Sequence, residues 1–190
     1  MRMCMQNRGI LERYEKAQSG EIIIDISTQK VEDLYSRFDK KSHFLKKDLN
    51  QDLVDYIIEC AGEIGDESFL IRFNFESKID DESISRLQDI VKRFFAYLQE
   101  HEHTKMKEMF QKSATLLFIG ALLAALSIGM AQSEFIEKSI VFSVLSEGLT
   151  VAAWVSLWEA LAIFLIKWMP YKKKISLYKR IANAKIVFSS

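Results

Sequence analysis

Apolar positions along this chain follow two regimes. In the first half they recur in short periodic groups, and later they merge into two long segments. The first group, Glu21-Ile-Ile-Ile-Asp-Ile-Ser27, lies between Gly20 and Thr28. Branching at Cβ suits a pleated surface, so this run predicts a buried strand over 21–26. Ser27 or Thr28 can cap a helix starting near Lys30, with Val31, Leu34, Tyr35 and Phe38 on one face. Leu53, Ile57, Ile58 and Ala61 predict another helix, closed at Gly62 or Gly65 before the turn signal Gly65-Asp66. Phe69, Ile71, Phe73 and Phe75 alternate with their neighbours and predict a second strand over 68–75. Residues 1–20 are polar, with a short helix expected around Leu11 to Ala17.

Asp80-Asp81-Glu82-Ser83 places acidic groups where a helix start favours them. Ile84, Leu87, Ile90, Val91, Phe94, Phe95 and Leu98 then form a broad stripe, and neither proline nor glycine interrupts from Asp81 to Ile119. One helix is therefore expected to run through Met106 and Phe110 into the first long apolar segment, Ala114 to Ala131. The second long segment is Leu149 to Met169. Each is close to the roughly 20 residues that a helix needs to cross a bilayer core. Between them, Phe135 to Leu145 is itself apolar and fits either an interfacial helix or an outward extension of the second span. Beyond Pro170, a short helix over Ile175 to Ala182 and a terminal strand over 184–189 are expected.

The fold class that follows is an α+β membrane protein, with a small cytosolic α/β domain built on a short sheet and a two-helix transmembrane hairpin. Its parts are a polar segment (1–20), the α/β domain (21–112), the spans (113–131 and 148–169), the loop between them (132–147), and a tail whose strand joins the sheet (170–190).

Lys+Arg and Asp+Glu are equal at 26 each, so the overall charge makes no case for nucleic acid as a partner. The distribution of lysine is more informative. Lys105, Lys107 and Lys112 precede the first span, and Lys167, Lys172, Lys173, Lys174, Lys179 and Arg180 follow or close the second. The loop holds Lys138 against Glu134, Glu137 and Glu147. Cytoplasmic flanks collect lysine and arginine, so both termini are expected in the cytosol. The run Lys172 to Lys174 also suits contact with anionic headgroups of membrane lipids. The first residues, Met-Arg-Met-Cys-Met-Gln-Asn-Arg-Gly, lack the apolar core of a signal peptide. Cys4 and Cys60 are too few for a disulfide framework and suit a reducing compartment, with Cys60 packing as a small apolar residue.

Within the spans, Ser113, Gly120, Ala124, Ser127 and Ala131 make one stripe of small residues, and Gly148, Ala152, Glu159 and Ala162 another. These stripes are expected to face each other or a neighbouring subunit in a homo-oligomer. A carboxylate at Glu159 inside an apolar helix needs a partner, a proton or water; Lys167, Ser127, Thr115 and the same residue of another copy are the candidates. It serves either as an interhelical hydrogen bond or in an ion path. Trp154 and Trp158 share a face, toward lipid or the first span, while Trp168 anchors at the interface. His101 and His103 are two apart and diverge on a helix, and His43 stands alone, so no metal site or cofactor is implied. Asp39, Asp48, Asp52 and Asp55 form an acidic cluster that reads as solvated surface, with cation binding or catalysis as the competing use.

Leu34-Tyr-Ser-Arg-Phe-Asp39, Lys47-Asp-Leu49, Tyr56-Ile57, Glu147-Gly-Leu149, Ala153-Trp-Val-Ser-Leu-Trp158, Trp168-Met-Pro170 and Tyr178-Lys-Arg180 together resemble an uncharacterised family of bacterial two-span membrane proteins with a small cytosolic α/β domain. The similarity runs over roughly residues 20 to 190. It departs at Lys40-Lys41-Ser42, where relatives tend to have proline, and at Lys167, where an acidic residue often stands. The resemblance implies a shared architecture in a bacterial inner membrane and brings no activity. The expected role is a membrane-anchored interaction or sensing module with a protein partner on its cytosolic domain. An oligomeric membrane effector or small channel using Glu159 is the alternative; an enzyme using the acidic cluster is the weakest, because no nucleophile accompanies it.

Overall fold

β-Branched and aromatic residues build a three-stranded sheet from β1 (Ile22–Thr28), β2 (Phe69–Phe75) and β3 (Lys185–Ser189), in the order β1-β2-β3. All pairs are parallel: Ile22 to Thr28 lie beside Phe69 to Phe75, and Leu70 to Asn74 beside Lys185 to Ser189. The computed structural model describes residues 9, 11–35, 49–76, 80–132 and 140–189.

Parallel strands need crossovers, and both crossovers here step in the same direction across the sheet. With the right-handed sense that such connections take, the helical residues packed on the sheet, within 51–64, 81–100 and 174–183, lie on one face. Helix α1 (Gln51–Ile64) makes the first. Helix α2 (Asp81–Ala131), α3 (Ile140–Ala162), the wide turn Ile163–Lys167 and α4 (Trp168–Asn183) make the second. Ile22, Ile24, Ile26, Phe69, Ile71, Phe73 and Phe75 accordingly pack with Val54, Ile57 and Ile64 of α1, Leu87, Val91 and Phe95 of α2, and Ile181 of α4. The thiol of Cys60 lies in this core. Phe188 of β3 stacks on Phe73 and Phe75 at 5.9 and 6.3 Å between ring centres.

Local chemistry fixes the element ends. The Asp52 N–H donates to Asn50 Oδ1 at 2.9 Å to start α1. Gly65, at φ 69°, ends it in a conformation that other residues avoid. The Ser83 N–H donates to Asp80 Oδ2 at 3.0 Å to start α2. The Arg180 guanidinium donates to the carbonyls of Gly65 and Glu67 and covers the Phe69 ring, tying α4 to the α1–β2 turn.

Two local expectations are corrected. The helix near Lys30 is only a 3-10 turn, Val31–Leu34; Tyr35 then pairs antiparallel with Leu49, and Phe38 lies outside the described residues. The helix over Leu11 to Ala17 does not form. Lys16 bridges to Ile22, the Ile23 N–H donates to Glu15 O, and Tyr14 donates its hydroxyl to Glu63 of α1 at 2.7 Å. Backbone partners offered by the β1 edge outcompete a short helix, which is marginal by itself.

The chain divides into two compact units, one of residues 1–100 with 174–190 and the other of residues 101–173. The second unit contains the apolar stretches of α2 and α3, each long and apolar enough to cross a membrane and little buried by the protein. The second apolar helix starts at Ile140, so the segment up to Leu145 extends it outward. Nor does this helix stop at Pro170. Proline cannot donate to the Ile166 carbonyl four residues back and crowds it; the five-residue turn Ile163–Lys167 absorbs the mismatch. The separate helix expected over 175–182 is thus the end of α4.

Candidate functional site

The apolar hairpin is built on a seven-residue repeat of small side chains. Ser113, Gly120 and Ser127 on α2 run antiparallel to Ala160, Ala153 and Ser146 on α3. Ser113 Oγ donates to the Ala160 carbonyl at 2.9 Å, and Ser127 Oγ to the Ser146 carbonyl at 3.1 Å. Between these two, a Cβ at Gly120 would stand 2.9 Å from Leu157 Cγ and 3.2 Å from its backbone nitrogen, so only glycine fits. A repeat of seven is the signature of left-handed helix pairing. Phe110 meets Phe164 edge-on at 6.0 Å.

The stripe expected on the second span does not face α2. Ser146, Ala153, Ala160 and Ile163 are buried, whereas Gly148, Ala152 and Glu159 are exposed. The packed residues repeat every seven positions in register with those of α2, a signal present in the sequence. Glycine and alanine content does not mark the face packed on α2, because alanines occur all round this helix.

Glu159 is bonded to Lys167, with Nζ–Oε1 at 2.6 Å. The two are eight residues apart, which in a regular α-helix leaves them about 80° out of line. The wide turn Ile163–Lys167 takes up one residue and brings them onto one flank. Both side chains remain about half exposed, 49% for Glu159 and 52% for Lys167. Of the candidate partners, Lys167 holds the carboxylate; Ser127 faces Ser146, and the Thr115 hydroxyl donates to Gln111 O. Trp154 and Trp158 point outward, 67% and 74% exposed, away from α2. Lys172 Nζ sits 5.3 Å from the Trp168 ring, and Lys173 and Lys174 are exposed.

Of the acidic cluster, only Asp52 and Asp55 fall within the described residues. Asp39 and Asp48 lie outside the described residues. Asp52 and Asp55 are exposed on the first turns of α1, where Gln51 donates to Asp55 at 2.9 Å. Among the described residues no group of three His, Cys, Asp or Glu side chains is placed to hold a metal.

Three features of the structure lay beyond the sequence reading. On the sheet face opposite the helices, Arg72 donates to both oxygens of Asp25 at 2.8 and 3.0 Å and to Glu15 at 2.6 Å, while Asn74 donates to Asp25 at 2.7 Å. The Arg72 guanidinium holds the Asp25 carboxyl below the usual carboxylate range, and the two acids push the guanidinium up. Alternation along each strand sets Asp25 and Arg72 off the core face, and their pairing follows from the β1–β2 register. A groove of about 400 Å³ opens at the start of the strands, lined by Glu21, Ser68, Phe69, Lys179, Asn183 and Lys185. Glu102, in a stretch of polar residues with no periodic signal, is buried and accepts from Lys105 at 2.8 Å.

Comparison with protein families, with curated proteins and with solved structures finds no match to this chain.

Proposed function

We propose that this chain is a membrane-anchored interaction or sensing module, its hairpin crossing the bilayer and its α/β unit and both termini on the cytosolic side. The observation that carries this is the hairpin itself. Its outer surface is apolar, with Leu117, Phe118, Leu122, Trp154, Trp158 and Phe164 exposed, far more than a water-facing protein presents in one patch. Its antiparallel register also brings Lys105, Lys107 and Lys112 to the same end as Lys167 and Lys172. Cations gathered at one end are what positive-inside insertion produces. The open sheet face around Arg72 and the groove beside Lys179 and Lys185 are the surfaces this reading offers to a partner. Protease protection of oriented membrane vesicles tests the placement: residues 1–100 should be cleaved from the cytosolic side only. Cleavage from the opposite side would overturn it.

A second reading, an oligomeric effector or channel, is favoured by the charged pair Glu159–Lys167 on an otherwise apolar flank. An enzyme using the acidic cluster has no observation in its favour among the described residues.

A further inference from the structure

We propose that the lysine-bearing end of the hairpin is a collar that gathers anionic phospholipids, selecting them by headgroup charge and not by headgroup shape. This rests on the membrane-spanning reading above.

Two contacts fix which residues share a level. Ser113 bonds to Ala160, and Phe110 meets Phe164. Lys112 and Lys107 of α2 therefore lie beside the wide turn and the start of α4, within one compact unit. Residues 101–112 and 163–173 together hold six lysines and two glutamates. Two of these lysines are already engaged, Lys105 with the buried Glu102 and Lys167 with Glu159. The other four, Lys107, Lys112, Lys172 and Lys173, are exposed and have no carboxylate partner among the described residues.

Their depth selects the occupant. Lys112 stands just before the apolar stretch that begins at Ala114, and Lys107 is five residues farther out, about 7.5 Å along the helix. Lys172 and Lys173 lie three and four residues past Met169, about 4.5–6 Å. The headgroup layer on each side of a hydrocarbon core is about 5–8 Å deep. All four lysines thus stand at the level of the lipid phosphates. Lys172 Nζ is 5.3 Å from the ring of Trp168, a residue type that settles at this same level. A soluble acidic partner would have to displace the lipid layer to reach them.

Their directions decide what is recognised. Lys107 and Lys112 point about 140° apart round α2, and Lys172 and Lys173 about 100° apart round α4. The two lysines of each helix diverge, so the four do not close on one headgroup. They meet separate lipids of the ring around the hairpin. An ammonium on a flexible stem acts as a point charge and reads no stereochemistry. Anionic lipids are therefore favoured over zwitterionic ones, whichever headgroup carries the charge.

Tryptophan quenching by brominated lipids tests this on the full chain in phosphatidylcholine bilayers. Trp154→Phe with Trp158→Phe leaves Trp168 as the reporter; both replaced side chains are exposed, so the fold should persist. Brominated phosphatidylglycerol and brominated phosphatidylserine should quench Trp168 alike. Each should behave as if enriched about two- to fivefold over brominated phosphatidylcholine at the same mole fraction. High salt should shrink that excess, because the attraction is screened. Combining Lys107→Gln, Lys112→Gln, Lys172→Gln and Lys173→Gln should abolish it. The salt result, read with all lysines present, keeps the test decisive if that variant misfolds. Equal quenching by all three lipids, an excess untouched by salt, or an excess for only one of the two anionic lipids would overturn the proposal. Failure of any brominated lipid to quench Trp154 and Trp158 in the unsubstituted chain would instead overturn the membrane reading itself.

Discussion

At the scale of single residues, the open sheet face and the hairpin interior illustrate two ways of fixing a side chain. Asp25 is held by charge. Arg72 depresses its carboxyl, so the folded form keeps the proton off at lower pH than the unfolded chain does. For a depressed acid, the stabilisation is complete above the unfolded value of about 3.9 and is lost as pH falls through the lower folded value. Asp25→Asn should therefore flatten the acid limb of the stability curve below about pH 4. Pulse proteolysis of the full chain in detergent, cutting in β1 and β2, reads this directly; parallel acid limbs for variant and native chain would refute the pairing. Gly120 is held by space. Gly120→Val drives its side chain into Leu157 and should destabilise the hairpin by about 1–3 kcal/mol, the usual cost of overpacking. Gly148→Val, whose Cβ meets nothing within 4 Å among the described residues, should leave the hairpin unchanged. Steric-trap unfolding in dilute micelles compares the two, and equal losses would contradict the packing described.

At the scale of elements, what was legible in the sequence was what depends on local periodicity. The strands begin and end within a residue or two of the expected positions, because isoleucine runs and phenylalanine alternation have few competing conformations. The continuity of α2 follows from the absence of any breaker between Asp81 and Ile119. The misreadings came where the deciding partner is remote. Val31 to Phe38 has helical spacing, yet Tyr35 is taken by Leu49. Pro170 is a breaker by local rule, yet the wide turn before it lets the helix continue. The candidate site was legible in part: Glu159 and Lys167 could be named, but eight residues of separation argue against contact until the wide turn is seen. Asp39 and Asp48 lie outside the described residues, and Asp52 and Asp55 are exposed on α1.

At the scale of the whole molecule, the two functional readings part over ion movement. In the anchored-module reading Glu159 serves its partner Lys167 and the hairpin's surroundings, so proteoliposomes of the full chain should show no ion flux. A channel lined by Glu159 should conduct, and Glu159→Gln should abolish that conduction, because an amide cannot carry charge. Flux that persists in Glu159→Gln would exclude this carboxylate as the essential group. The topology of the sheet has a further consequence, one of timing. β2 is the central strand, yet the strand on its far side is translated only after the whole apolar hairpin. While the ribosome is making those helices, Phe69 to Phe75 has β1 on one side and an unpaired edge on the other. Two strands make a weak sheet, and a bare apolar edge invites pairing with any extended chain nearby. The nascent protein therefore passes through an interval of exposure whose length is set by the synthesis of roughly 110 residues, several seconds or more at 5–20 residues per second. Covering that edge during translation is a task for cellular chaperones, and a translation pause within the hairpin would lengthen the interval in which they are needed.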